Sequence, residues 1–341
     1  MERISFIDGL KGYAIILVVI GHVITYASPS DFGRSWLFSF IYSFHMPLFL
    51  FLSGFLVYRY PPGQVFPFIV KKLKVLVYPY FLWLFIFAIA AGGIVVNGTV
   101  ISNFAFMVKS YSLWFLPALF ISLLVLICYR YVEDFFAAAR KTEVAAPVVF
   151  LVLYLVTWVV PISFSLFLIL RWFSPFVLLG YLASKHWQRI LEIEYLMPIS
   201  ALLFVLLLPS WGSYSVSFTI SHYYTPLIDF VLAVAGIGFA FLLVTSLKET
   251  KAYGFLQTCG MYSLEIYILS AFLPVVFTSL LHVPFWAGSG LVAYITGSAV
   301  VFSLSLLGSV ILSYYQYPGF ILFGRWTPHR AGISRFRPWK G

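Results

Sequence analysis

Six side chains that are charged or titratable fall inside long apolar runs: Lys11, His22, His45, Arg171, Asp229 and Glu265. Such groups are costly at membrane depth, so each is a candidate for chemistry rather than for packing alone. Lys11 and His22 stand eleven residues apart, about three helical turns, which places them within ~20° of each other on one helix face. Asp8 lies within ~40° of His22 on the same helix. At 1.5 Å per residue the imidazole sits ~16 Å beyond the lysine, a span comparable to an extended pantetheine arm. A donor with its phosphates near Lys11 could therefore deliver an acyl thioester near His22. His45, followed by Met46 and Pro47, lies ~14 Å down the next run from its opposite end, a depth comparable to the ~20 Å of His22 from the inner side. It serves either the same site or a proline-associated kink. Arg171 and Asp229 read as a charge pair near the outer face, with acceptor contact as the second reading. Glu265, ~15 Å into its run, partners a histidine or bridges helices.

The elements that must hold these groups are set by composition. Of 341 residues 62% are hydrophobic and 9% charged, with a mean hydropathy of +1.00, which excludes a soluble globular chain of ordinary composition. Spanning-length apolar runs read as residues 9–28, 36–58, 75–96, 113–132, 146–162, 166–184, 195–211, 226–247, 255–281 and 289–317. That is an all-α, polytopic membrane helix bundle of ten helices. The fifth and sixth runs are separated only by Ser163, Phe164 and Ser165 after Pro161, and joining them would give nine.

Basic residues decide between the two counts. With the N-terminus inside, 18 of the 21 Lys and Arg fall on the inner segments, while the outer loops hold only Arg34 and Lys109. This bias places both termini on the cytoplasmic side, and joining runs five and six would send the later basic clusters outside. The net charge of +10 therefore reports orientation and not nucleic-acid binding. The chain reads as one transmembrane domain over residues 1–318. A basic tail follows over 319–341, containing Trp326 and Trp339 and lying on anionic inner-leaflet lipid. The two cysteines, Cys128 and Cys259, have neither metal-ligand nor redox spacing and read as structural, and no metal site is expected. The first run carries Asp8, Lys11 and His22, unlike a cleavable signal core. Lys71, Lys72 and Lys74 at the inner interface hold phosphates or simply follow the topology. The outer loop Trp211 to Thr225, rich in Tyr, Ser and Thr and carrying His222, suits a sugar-facing rim or an interfacial aromatic belt.

Five segments carry a family resemblance. IDGLKGYAIILVVIGHV (Ile7 to Val23), FHMPLFLFLSGFL (Phe44 to Leu56), KKLKVLVYPY (Lys71 to Tyr80), SLWFLPALF (Ser112 to Phe120) and GMYSLEIYIL (Gly260 to Leu269) together resemble the acyltransferase 3 family of bacterial integral-membrane acyltransferases. Lys11 stands where many members have Arg, and it lacks that side chain's planar fork. Ser112 and Ser270 stand where histidines are common, and neither position is assigned a catalytic role. The resemblance is to the short members, without an extracytoplasmic hydrolase-like domain.

The resemblance implies a multi-pass protein of the bacterial inner membrane. It would transfer an acyl group, often acetyl, from cytoplasmic acyl-CoA to a hydroxyl of a glycan or lipid-linked sugar precursor at the outer face. His22 is then the catalytic residue, its neutral imidazole taking the acceptor's proton as the oxygen attacks the thioester. An acyl-histidine intermediate is the alternative course. Asp8, His45 and Glu265 are candidates to set its tautomer or relay a proton. Lys11, Lys72 and Lys74 would hold the donor, and Ser53, the Trp114 indole or backbone amides near Pro47 would stabilise the oxyanion. A competing class is a transporter or export partner for a lipid-linked sugar, in which the buried charges line a pathway; no internal inverted repeat is visible.

Overall fold

The computed structural model describes residues 5–27, 35–60, 63–90, 113–138, 145–159, 165–211, 226–279 and 291–325. Every regular element among them is helical, and each of the ten apolar runs carries a helix. Among the described residues six helices are long and apolar enough to cross a membrane. A seventh span is formed if Lys251–Met261 and Ser263–Phe277, bent by 76°, are taken together. The chain is thus a multi-pass membrane protein.

The described residues form two compact units, one within 50–78 and 114–191 and the other within 2–49, 79–113 and 192–341. The second unit is built on α1 (Ser5–Ala27). Around it stand α2 (Trp36–Tyr42) and the first residues of α3 (His45–Tyr58). The break between α2 and α3 falls at Ser43 and Phe44, one turn before Pro47, whose missing N–H leaves the carbonyl four residues earlier without its helical donor.

The first unit holds the rest of α3, α4 (Val65–Lys72) and a π turn over Leu73–Val77. The π turn ends just before Pro79, and the widened ladder accommodates the proline. The chain then continues into α5 (Tyr78–Ala90). The other helices of the first unit are α6 (Phe115–Ala138), α7 (Ala145–Val159), α8 (Ser165–Lys185) and the short α9 (Trp187–Leu191). Trp114 meets Phe173 with ring centroids 5.0 Å apart, and Glu133, farther along α6, holds Lys185 at 2.9 Å. So α6 and α8 run in the same sense. Between them α7 runs the other way, because Phe150 packs on Tyr129 while Tyr154 donates to the Arg171 carbonyl at 2.9 Å. The fifth and sixth apolar runs are therefore separate antiparallel helices. The connection at 160–164 lies outside the described residues.

The second unit continues with α10 (Leu196–Trp211), α11 (Pro226–Ser246), α12 (Lys251–Met261), α13 (Ser263–Ser279), α14 (Leu291–Tyr314) and α15 (Gln316–Phe323). Buried residues make up 72% of the α1 span but only 28% of that of α14. Hence α1 is central, and α14 turns much of its Leu, Val and Ile surface outward, where lipid replaces protein as the apolar solvent. Close approach around α1 depends on glycine. A Cβ on Gly12 would lie 1.8 Å from the Leu256 carbonyl oxygen, and one on Gly260 1.8 Å from that of Asp8. Backbone therefore rests directly on backbone where α12 crosses α1. An aromatic cluster of Phe40, Phe44, Phe204 and Phe239 joins α2 and α3 to α10 and α11.

Residues 319–325, assigned by sequence to the tail, are packed into this unit. Trp83 Nε1 donates to the Leu322 carbonyl at 2.9 Å and stacks on Phe323, which is fully buried. Gly324 then ends α15 with φ +65°, a left-handed cap that suits glycine. The remainder of the tail, with Trp326 and Trp339, lies outside the described residues, as do Ser112, Arg34, Lys109 and the Trp211 to Thr225 rim beyond its first residue.

Candidate active site

His22 lies in the last turns of α1, with its ring beside α13. Its Nδ1 is 3.2 Å from the Ser270 Oγ, and the Ser270 hydroxyl lies 3.1 Å from the Tyr267 carbonyl, to which it donates. A serine hydroxyl has one proton. With that proton given to the carbonyl, Ser270 accepts from His22, so the histidine carries its hydrogen on Nδ1 and offers the Nε2 lone pair. Tyr267 also packs its ring against the imidazole, with centroids 5.9 Å apart. His22 is only partly buried, whereas Ser270 is fully enclosed. The ring is therefore held against α13 on its Ser270 side.

His45 opens α3 and is buried. Its Nδ1–H donates to the Ile41 carbonyl at 2.6 Å, which also accepts from the Phe44 N–H at 3.4 Å in the break between α2 and α3. The edge of Tyr42 lies 4.7 Å from its ring centroid. Tyr42 is hydrogen-bonded to Thr25, and His45 lies near enough to His22 for the two rings to interact electrostatically. Gly21 makes room for this arrangement, since a Cβ there would fall 2.8 Å from the Tyr42 ring. The structure thus brings together His22, His45, Tyr42, Thr25, Tyr267 and Ser270.

Other candidates fall elsewhere. Asp8, buried near the start of α1, is fourteen residues from His22 on an unbroken helix, about 21 Å along the axis, too far to set its tautomer directly. Lys11 is half-buried, about 16 Å from His22 by the same arithmetic. Glu265 partners an arginine and not a histidine. Arg325 Nε donates to its Oε1 at 2.6 Å, Nη2 closes on the same oxygen, and Nη2 also donates to the Met261 carbonyl at 3.2 Å. Its depth differs from the expectation as well. The 76° bend at the junction of α12 and α13 puts Glu265 in the first turn of α13, not ten residues into a straight span.

In the first unit, Lys72 ends α4 with its ammonium 5.3 Å from the Phe68 ring centroid, and Lys74 lies in the π turn. Trp114 stands in the turn before α6 beside Leu113, whose φ is +53°. Ser53 is half-buried in α3 and Arg171 buried in α8. Asp229 belongs to the other unit, in the first turn of α11. Cys128 is exposed and Cys259 buried, both as free thiols.

Sequence reasoning missed Ser270, Tyr42 and Arg325. The signal for Ser270 was its place directly after the late segment Gly260 to Leu269, where the family often has histidine; a hydroxyl there still reaches the ring.

A multi-pass helical bundle thus holds an imidazole whose Nδ1 lies 3.2 Å from a buried serine hydroxyl. The chain belongs to the acyltransferase 3 family, whose Acyltransferase domain matches residues 4–314. It is also similar to two curated proteins named Nodulation protein NolL. The one from Sinorhizobium fredii (strain NBRC 101917 / NGR234) is 48% identical over 52 residues and the one from Mesorhizobium japonicum (strain LMG 29417 / CECT 9101 / MAFF 303099) 46% identical over 52. Each alignment spans 14% of this chain and 14% of the relative's length. No solved structure matches the chain.

Proposed function

We propose that the chain transfers an acyl group, most simply acetyl, from cytoplasmic acyl-CoA to a hydroxyl of a cell-surface glycan or its lipid-linked precursor, in the inner membrane of a bacterium. The observation that carries this reading is the Tyr267 carbonyl, Ser270 and His22 chain, which leaves Nε2 of the imidazole as a base. The acceptor O–H gives its proton to Nε2 while its oxygen bonds to the thioester carbonyl carbon. As the tetrahedral intermediate collapses, the C–S bond breaks and the imidazolium returns the proton to sulfur, releasing the free thiol and the ester. Ser270 stays hydrogen-bonded to Nδ1–H throughout, holding the ring and accepting from the imidazolium. His45 stands beside this group with its own Nδ1–H committed to the Ile41 carbonyl.

Lys11 is the proposed contact for the donor's phosphates, with Lys72 and Lys74 as further candidates; Ser53 and Trp114 remain candidates to face the developing oxyanion, and Arg171 and Asp229 the acceptor. Ten crossings with both termini in the cytoplasm are part of the same proposal, with residues 1–318 in the membrane and the residues from 319 on the inner side. It is supported by the antiparallel order of α6, α7 and α8, by α13 running in the same sense as α1, and by the distribution of Lys and Arg.

The test is purified protein in detergent with acetyl-CoA and candidate glycans. Thiol release that needs the acceptor, accompanied by a mass gain of one acyl group on the glycan, is the expected result. Substrate movement across proteoliposomes without thiol release would replace acyl transfer with transport.

A further inference from the structure

The first unit contains a polar cavity lined by none of the residues assigned above to acyl transfer. It forms where α3 and α8 end together. The two helices touch through glycine: a Cβ on Gly54 would lie 1.9 Å from the Val177 carbonyl oxygen, and one on Gly180 1.9 Å from that of Phe51. Four residues past these glycines come Tyr58 and Ser184, and both line a cavity of about 430 Å³ together with Arg59, Lys185, His186 and Arg189. That volume falls in the ~300–1,000 Å³ range of small-molecule sites.

Cations at helix C-termini are ordinarily explained by the carbonyls they face. Here those carbonyls are served by another residue, since Arg130 donates to Val57 and Tyr60 at 3.4 Å each. Lys185 is neutralised by Glu133, which also accepts from the Tyr181 hydroxyl at 2.5 Å. The two arginines on the cavity wall have no such service to perform. Arg59 rests over the Phe55 ring at 5.5 Å, Arg189 is exposed on α9, and among the described residues no carboxylate lines the cavity. A separate observation points to a ligand. Ser184, which lines the cavity, is only 7% exposed, and its hydroxyl oxygen has no hydrogen-bond partner among the described residues. Two guanidinium forks, an imidazole and a buried hydroxyl donor converge on an anion with several oxygens, and guanidinium matches phosphate geometry better than ammonium does.

We propose that this cavity is a binding site for a phosphate group, gripped by Arg59 and Arg189 with the Ser184 hydroxyl donating to one of its oxygens. The phosphate is carried either by a soluble nucleotide-like molecule such as coenzyme A or by an anionic lipid headgroup. The site requires no acyl transfer, so it can fail while that function stands, and the reverse.

The full chain in neutral detergent is titrated with coenzyme A and with its 3′-dephospho form, by calorimetry. In parallel, phosphatidylglycerol retained from mixed nanodiscs is counted by native mass spectrometry. The variants are Arg59→Gln with Arg189→Gln, and Arg189→Glu alone, whose side chain is exposed and outside the helix crossing. Loss of charge-assisted hydrogen bonds should weaken the responsible ligand by roughly 10- to 100-fold. Weaker coenzyme A binding with unchanged lipid retention identifies a soluble phosphate, and a smaller loss for the 3′-dephospho form places the 3′-phosphate in the cavity. Lost phosphatidylglycerol with unchanged coenzyme A binding identifies a headgroup. If monodisperse Arg189→Glu protein binds both ligands as the unaltered chain does, the cavity is not a phosphate site. Acceptor-dependent thiol release, measured on the same samples, reports the acyl-transfer reading separately.

Discussion

At the scale of residues, the site is a single imidazole whose usefulness depends on what holds it. His22→Ala should abolish acyl transfer while the protein still inserts and elutes as a monodisperse species; retained turnover would remove His22 from the mechanism. Ser270→Ala tests the orienting role. Removing one hydrogen bond of about 1–1.5 kcal/mol should lower kcat roughly tenfold with little change in KM, and Ser270→Thr, which keeps the hydroxyl, should restore most of it. An equal loss in both variants would mean that Ser270 serves packing alone. His22 and its basic partner could be found from spacing because eleven residues on one helix determine a face. Ser270 could not, because 248 residues separate it from the ring it holds and no local pattern encodes that approach.

Helix crossings and one buried ion pair govern the elements. Gly12→Ala should destabilise the crossing of α1 and α12 by about 1–3 kcal/mol, the usual effect of overpacking, because the backbone it meets cannot move aside as a side chain could. Gly254→Ala on α12, where nothing lies within 4 Å of an added Cβ, should leave the melting temperature unchanged or slightly raised. Thermal unfolding in detergent compares the two, and equal effects would contradict the backbone contact. The pair Glu265 and Arg325 fastens the bend between α12 and α13 to the residue just beyond the α15 cap. Arg325→Gln leaves the buried Glu265 carboxylate uncompensated and should cost about 3–5 kcal/mol, whereas Arg325→Gln combined with Glu265→Gln should recover much of it. A double variant as unstable as the sum of its parts would show that the two residues do not act together. The bend itself was invisible in the sequence: an apolar run specifies that a segment prefers lipid, and Tyr262, where the turn occurs, is compatible with a straight helix.

For the whole molecule, topology and donor binding are the properties to test. Reporter fusions to both ends should show cytoplasmic activity, and an inverted signal at either end would overturn the ten-crossing arrangement. Replacing Lys72 and Lys74 together should weaken coenzyme A binding more than acceptor binding, measured on the intact protein. Unchanged donor affinity would return these lysines to orientation alone. The second unit, centred on α1, holds the imidazole cluster and Lys11, while the first carries the basic cavity, Lys72 and Lys74.

Bulk hydropathy was enough to read a multi-pass helical chain from sequence, the spacing of Lys11 and His22 put both on one helix face, and five local segments carried the resemblance to the acyltransferase 3 family. All of these are properties of single segments, where transfer free energy and helical period act residue by residue. The tautomer of His22, the arginine that claims Glu265, the packing of residues 319–325 and the joint ending of α3 and α8 were decided only in three dimensions. Each depends on backbones brought into contact at glycine crossings, and which helix meets which is a property of the packed bundle that no one segment contains.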